Sequence, residues 1–561
     1  MPKERKLKKQ GFMQGVMALM FSQLIIKLLG LVYKLYLTNR EGFGDEGNAI
    51  YSAGFQIYAL LLTLSSTGVP SAISKLVSER LAIGDNKGAH RIFKISFATF
   101  AVIGLIGTLI LFFGAGYIAN VMLEISEAEL TLVALSPSIF FVAIASVVRG
   151  YFLGREQMSA SANSQTLEQG FKTLLTVIVV EMVAIFTGTN TVLMAAGANL
   201  ATTLATFLSF AYIYLYYKSR KKEIGAEIKA TVNYKPEGIK KIIKRILFVS
   251  IPISLSSLMS AINKNIDSVT VVRGLKNFLS EAEAKIQYGI LSGKVDTLTS
   301  VPLSFNIAFA TALVPSTAAA FAKGEKEQAT RRVSFSLLIT ILIGLPCTAG
   351  MFILAQPILD LLFPNANAGA MILQISSLTI IFTVLAQTIN GALQGIGKVI
   401  IPAVALGTGV LVKLILNLIL VPMPQFGANG AAFASVVCHI ISFSIGYIVL
   451  KKHIDLKMTF GKFVVKPLLA TIMMSVITYF LHGVLTNTAI GILTQYDVSI
   501  NIAKSIATII TLIIAVIVYV ISVFALKVFS KEDIYMIPYG EKIYKILMKI
   551  GLYGNEGKRA K

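Results

Sequence analysis

Apolar stretches of spanning length, broken by short groups of Gly, Pro, Asn and charged residues, recur from Phe12 to Ala525. A helix needs about 20 mostly apolar residues to cross a hydrocarbon core, so each stretch predicts a membrane-spanning helix. The first six windows fall near 12 to 37, 48 to 78, 91 to 118, 128 to 152, 158 to 184 and 191 to 217. After a polar stretch at 218 to 239, eight more follow near 241 to 272, 286 to 319, 331 to 355, 368 to 394, 399 to 421, 427 to 450, 462 to 485 and 500 to 528. The expected fold is an all-α polytopic membrane protein of about 14 transmembrane helices.

The two halves repeat. Arg149 to Gly154 aligns with Asn390 to Gly395, and the same shift carries Lys172 onto Lys413. Val69-Pro70-Ser71 resembles Val314-Pro315-Ser316, Gly84 to Arg91 resembles Gly324 to Arg331, and Gly197-Ala198-Asn199 resembles Gly427-Ala428-Asn429, in the same order. Ordered recurrence predicts two six-helix lobes at 1–217 and 240–450, with a linker at 218–239. An even number of helices per copy makes them parallel repeats. Two further helices at 451–529 and an amphipathic tail at 530–561 complete the expected organisation.

Composition agrees with this class. Hydrophobic residues make up 55% of the 561, charged residues 14%, and the mean hydropathy is +0.75. The formal charge of +23 is spread over alternate connections instead of forming a nucleic-acid-binding domain. Lys and Arg gather in the amino-terminal tail, around Arg80 to Lys94, around Lys218 to Lys222, around Lys323 to Arg332 and at Lys451-Lys452. The rule that cations stay on the cytoplasmic side then puts both termini in the cytoplasm, with Arg273 and Lys276 as exceptions. In the tail, Ile543, Ile546, Leu547 and Ile550 share one helical face and Lys542, Lys545 and Lys549 the other. That pattern suits either a helix on an anionic leaflet or a solvated tail.

Candidate chemistry lies in ionisable residues at membrane depth, each of which costs roughly 2.5–3.5 kcal/mol at a helix centre facing lipid. Gln23, Lys27, Gly30 and Lys34 form one stripe on the first helix, and Gln165, Glu168 and Lys172 another on the fifth. Ser256, Ser260, Asn263 and Asp267 align on the seventh, with Lys264 one residue off that face, and Ser292, Asp296, Thr299 and Asn306 align on the eighth. Glu168 with Lys172, and Lys264 with Asp267, read equally as register-fixing ion pairs or as functional groups. Lys27 has no acid within a turn and reads as a substrate-pathway residue. With Lys413, these lysines predict a cationic cavity for an anionic phosphate or pyrophosphate group. Gly391 to Lys398 only superficially resembles a phosphate loop, since Val399 follows where Ser or Thr is needed. Scattered histidines and two isolated cysteines supply neither a catalytic constellation nor a metal motif, so neither enzyme activity nor a cofactor is expected.

Lys27-Leu28-Leu29-Gly30, Gly44-Asp45-Glu46-Gly47 leading into Ala49-Ile50-Tyr51, Gly68 to Val77, Gly84 to Arg91 and the Gly150 and Gly391 repeats together resemble the MOP flippase superfamily. Within it they resemble the MurJ-type lipid II flippases and their Gram-positive YtgP and SpoVB relatives. The resemblance implies a multi-pass protein of the bacterial cytoplasmic membrane that moves a polyprenyl-pyrophosphate-linked glycan between leaflets. It implies lipid II as substrate, another lipid-linked oligosaccharide (capsule, teichoic acid, spore cortex) as the alternative, and less readily a MATE-type multidrug antiporter or a wall-synthesis scaffold. A basic residue in the first helix is important in the family and matches Lys27, whereas a second cavity arginine falls on Tyr33 and an acid-base pair falls on Ser300 and Thr297. Lys294 and Asp296 are the expected substitutes. Some relatives hold sodium, for which Asp267 and Asn417 are the remnants here; the coupling ion, sodium or proton, stays open. The partners implied are the lipid-linked glycan, membrane lipids and wall-synthesis enzymes, with a monomer sufficient and no nucleic acid.

Overall fold

The computed structural model describes residues 12–66, 68–230, 237–322, 325–456, 459–493, 495, 499–535 and 540–549. All regular elements among them are helical. In chain order they are α1 (Phe12–Asn39), α2 (Gly44–Ser66), α3 (Val69–Ala82), α4 (Asn86–Tyr117), α5 (Ala128–Gly154), α6 (Met158–Thr187), α7 (Thr191–Lys229), α8 (Ile239–Leu275), α9 (Glu281–Tyr288) and α10 (Asp296–Ala322). There follow α11 (Lys326–Ile353), α12 (Ala355–Leu362), α13 (Ala370–Gly395), α14 (Ile401–Leu420), α15 (Gly427–His453), α16 (Lys466–Leu493), α17 (Ile500–Ala525), α18 (Lys531–Tyr535) and α19 (Gly540–Lys549). Among the described residues ten helices are long and apolar enough to cross a membrane, and the bent pair Ile239–Ile251 and Ser254–Leu275 makes eleven if it is one span, against about fourteen expected. The helices α1, α2 and α10, of 28, 23 and 27 residues, also have spanning length.

Boundaries differ from expectation where local chemistry intervenes. The single window at 48 to 78 is two helices, because the chain turns before Val69 and Pro70 starts α3, a position where its missing N–H is not needed. The polar stretch after 217 begins as helix, α7 running on to Lys229. Gly84 takes φ +79 at the turn into α4, and Asp85 then caps that helix by accepting from the Gly88 N–H at 2.7 Å. A π-helical segment, Gly289–Val295, precedes α10.

The chain divides into two compact units, Met1–Ser304 with Pro402–Cys438, and Phe305–Ile401 with His439–Lys561. In the first, 72% of the spanning window of α5 is buried among its neighbours. Its glycines let α3 approach closely: a Cβ on Gly150 would lie 2.8 Å from Pro70 Cα, and one on Gly154 would lie 2.7 Å from the Ser74 carbonyl oxygen. In the second unit Gly391, aligned with Gly150 in the sequence repeat, meets α10 in the same way, its Cβ position lying 2.5 Å from the Ala310 carbonyl oxygen. The repeated glycines are therefore helix-crossing points in both units.

Apolar side chains also cover the outside, as at Phe113, Ile185 and Phe186, which are 79%, 76% and 81% exposed. Such a surface is the solvent-facing counterpart of lipid. The tail helix α19 uses a different face from the one its pattern suggests. Tyr544 and Leu547 are buried in the second unit's core with Val528, Phe529 and Ile534, while Ile546 stays exposed. Ile550 and the Ile543 side chain lie outside the described residues.

Candidate functional site

The first unit contains a cavity of about 210 Å³ lined by residues of α1, α2, α8, the π-helical segment and α10. Three lysines reach it: Lys27 and Lys34 from the stripe on α1, and Lys264 from α8. The acid on its wall is Asp296, at the first residue of α10, beside Ser292, Thr297 and Ser300. Three ammonium groups against one carboxylate leave the wall cationic, which suits a phosphate-bearing ligand. Lys27 and Lys264 are exposed, so water reaches both.

Behind them, Lys34 is buried with its ammonium 4.7 Å from the centre of the Tyr51 ring. Lys172 is buried as well, its ammonium 4.3 Å from the Phe55 ring centre and 4.9 Å from that of Tyr33. Tyr51 and Phe55 stack at 5.8 Å, and the Tyr33 and Tyr51 hydroxyls are 3.3 Å apart. Ring faces carry partial negative charge, so this cradle holds two cations that form no salt bridge with an acid among the described residues. Tyr33, Tyr51 and Phe55 escape a search for charged stripes, because an aromatic in a membrane helix ordinarily reads as packing.

Other expected site residues are placed elsewhere. Glu168 binds Arg149 at 2.6 Å, and Arg149 also donates to Ser164 and Ser209, so no ion pair joins Glu168 to Lys172 among the described residues. Of the two readings left open for Glu168 and Lys172, the ion pair between them is corrected: Arg149, on α5, takes the acid. Asp267 likewise pairs across to α14 and not with Lys264, its Oδ2 accepting from Lys413 Nζ at 2.6 Å. Lys413 Nζ also donates to the Asn263 carbonyl at 2.9 Å, and Asn417 Nδ2 donates to Asp267 Oδ1 at 2.9 Å. Asp267 and Asn417, the sodium candidates, thus do converge, but the cation on their carboxylate is the Lys413 ammonium. Among the described residues no group of three or more His, Cys, Asp or Glu side chains could hold a metal.

Lys294 is fully buried in the π-helical segment and pairs with Asp45 at 2.9 Å, outside the cavity lining. Asp45 lies in the first turn of α2, where the sequence flags a family motif without naming its partner. Gln23 lies on α1, its side chain outside the described ones. Arg273 and Lys276, the exceptions in the charge pattern, both reach Glu124, at 2.7 and 3.6 Å. Lys276 also pairs with Glu281 at 3.2 Å and Lys285 with Glu127 at 2.6 Å, so the acids of that face offset its cations.

A model of the family described as polysaccharide biosynthesis protein matches residues 12–321, and one described as MatE matches 294–419. The uncharacterized membrane protein YabM of Bacillus subtilis is 30% identical over 76% of this chain and 78% of its own length. Lipid II flippase MurJ of the same organism is 26% identical over 79% and 82%. A solved structure of lipid II flippase MurJ in an inward closed conformation superimposes with a TM-score of 0.64 at 17% identity, covering 92% of this chain and 99% of that one, a likeness of fold. By sequence and by fold, the chain belongs to the polysaccharide biosynthesis protein family, on the MurJ-type flippase branch of the MOP superfamily, whose members are transporters and not enzymes.

Proposed function

We propose that the protein is an alternating-access flippase for a polyprenyl-pyrophosphate-linked glycan, lipid II being the first substrate to test, acting in the bacterial cytoplasmic membrane with both termini in the cytoplasm. The observation that carries the reading is the cavity wall on which Lys27, Lys34 and Lys264 face one acid, Asp296. A diphosphate bears its charge on oxygens that ammonium groups can approach from several directions, and a wet cationic cavity replaces part of its hydration. Lys27 is the principal substrate group because it lies on the cavity wall and is open to water, whereas Lys34 is packed on an aromatic ring. The relative named lipid II flippase supports the choice of lipid.

The second reading within the class is another lipid-linked oligosaccharide, which shares the diphosphate and differs in the sugar. The MatE match supports an antiporter for drugs, but a cationic cavity disfavours cationic cargo. The test is lipid II exposure on the outer leaflet of cells depleted of their own flippases and supplied with the intact protein or with Lys27→Ala. Restoration by the intact protein alone supports the proposal. Failure of both, at equal expression, excludes lipid II and turns the assay to other lipid-linked glycans. Full restoration by Lys27→Ala removes Lys27 from the pathway.

A further inference from the structure

A second cavity in the first unit, of about 330 Å³, lies at the start of α4, away from the residues of the proposed substrate site. Arg80 lines it from α3, Lys87, His90, Arg91 and Lys94 from α4, and Glu237 from the residues before α8. Its charges are not balanced. Arg80 takes both nearby acids, Asp85 at 3.3 Å and Glu237 at 2.7 Å, and Glu237 is shared further with Arg245 at 3.2 Å. Lys87, Arg91 and Lys94 have no acidic partner among the described residues, and His90 Nδ1 and Arg91 Nε are buried without a hydrogen-bond partner. Ile92, Ile228 and Ile242 supply apolar wall between the charges.

The second unit differs at the matching segment. Gly84 to Arg91 aligns with Gly324 to Arg331, and Arg331, the counterpart of Arg91, lines a cavity of about 940 Å³ with Lys326, Lys451, Lys452 and Lys462, but Glu327, Asp455, Glu532 and Asp533 line it too, and Arg331 pairs with Glu532 and Lys462 with Asp533. The excess of cations over acids belongs to the α4 cavity.

We propose that the α4 cavity binds a phosphate-bearing anion, with the headgroup of an anionic membrane lipid as its source. Position favours the lipid. The helix α4 begins at Asn86 and carries a membrane-spanning segment within Asn86–Leu123, so the cavity lies at the polar amino-terminal end of a spanning helix. Phe93, Tyr151 and Tyr217 pack against His90, with Phe93 and Tyr151 buried and their centroids 4.5 Å apart, so the imidazole is held by a packed aromatic cluster. The nearby end of α7 carries Lys218, Arg220, Lys221 and Lys222, which adds to the attraction for anionic lipid.

The test uses the purified full-length protein in neutral detergent and reads its thermal midpoint against short-chain phosphatidylglycerol, short-chain phosphatidylcholine and inorganic phosphate. Phosphatidylglycerol should raise the midpoint and phosphatidylcholine should not. In Lys87→Gln/Arg91→Gln the half-saturating concentration should rise about 30-fold, each cation near an anionic lipid contributing about a factor of five. The control Lys398→Gln/Lys504→Gln, with the same charge loss on exposed residues outside the cavity lining, should respond like the parent. Lys94→Gln, at an exposed position, should show a loss of about five-fold and serves if the double variant does not fold. Equal responses to phosphatidylglycerol in the parent and the pocket variants would overturn the site. A shift by inorganic phosphate that competes with the lipid would keep the phosphate chemistry and overturn the lipid as its source.

Discussion

Replacing Asp267 with Asn removes one charge from a pair buried between α8 and α14. Lys413 is 1% exposed and its ammonium has two acceptors, Asp267 Oδ2 at 2.6 Å and the Asn263 carbonyl at 2.9 Å. An amide in place of the carboxylate leaves that ammonium with dipoles alone. Breaking a buried pair from one side costs about 3–5 kcal/mol, because the remaining charge stays desolvated. Lys413→Met is expected near the lower end of that range: Asp267 is 14% exposed in its side chain and keeps the Asn417 amide as a donor. The double variant Asp267→Asn/Lys413→Met carries neither charge and should recover to near the parent or above it, since an apolar substitute for a buried pair is often neutral or stabilising. Unfolding of all four proteins in one detergent, analysed as a double-mutant cycle, measures a coupling expected at about 3 kcal/mol or more. Single variants within about 1 kcal/mol of the parent, or additive losses, would refute a structural ion pair. The same proteins test the ion. With an ammonium already on Asp267, exchanging sodium for potassium should leave the parent's stability unchanged, and a sodium-specific gain would refute the assignment of that position to Lys413.

Gly289→Ala should destabilise the protein by about 1–3 kcal/mol or more, because its Cβ would fall 2.0 Å from the Asp45 carbonyl oxygen and 3.0 Å from the Ala49 nitrogen. Helix propensity alone would favour alanine by about 1 kcal/mol, so a thermal midpoint at or above the parent's would show that the packing against α2 yields. Acid should loosen the α18 segment. Burial raises the Asp533 carboxyl, but the hydrogen bonds from Lys462 and Ser530 outweigh it and hold the group below the usual carboxylate range. A depressed carboxylate contributes stability that is fully present above its unfolded pKa of about 4 and is lost as pH falls through the folded value. Amide exchange over 531–535 should therefore accelerate in acid beyond its intrinsic rate, and Asp533→Asn should show the faster exchange already at neutral pH. An Asp533→Asn protein that exchanges like the parent at neutral pH would remove this link.

Periodicity and length made the helical membrane class legible, since hydrophobicity over about 20 residues is a local property. Partners were less so. Spacing along one helix offered Glu168 with Lys172 and Lys264 with Asp267 as ion pairs, one of two equal readings, yet the structure gives Glu168 to Arg149 and Asp267 to Lys413, from other helices. A pair at i, i+4 is worth only a few tenths of a kcal/mol by itself, so a well-placed charge on a neighbouring helix wins easily in a dry interior. The aromatic cradle was hidden for a related reason. Tyr33, Tyr51 and Phe55 are spread over two helices, and their common use appears only when Lys172 arrives from a third.

These placements sort the intramembrane lysines by how each offsets the cost of its charge. Lys294 and Lys413 are paired with carboxylates and almost wholly buried, so in the described state they are committed to packing helices together. Lys34 and Lys172 rest on ring faces, which stabilise a cation by about 2 kcal/mol when desolvated and leave its charge uncancelled. Lys27 and Lys264 line the cavity and are exposed, open to water. An entering anion must displace water from the last pair, a modest cost, and gains from the uncancelled field of the ring-held pair behind it. It would have to break ion pairs to use Lys294 or Lys413. The order of importance for binding should thus be Lys27 and Lys264 by contact, Lys34 and Lys172 by field, and Lys294 and Lys413 through stability alone. That order is set by the partners each ammonium has, and the number of lysines at membrane depth does not reveal it.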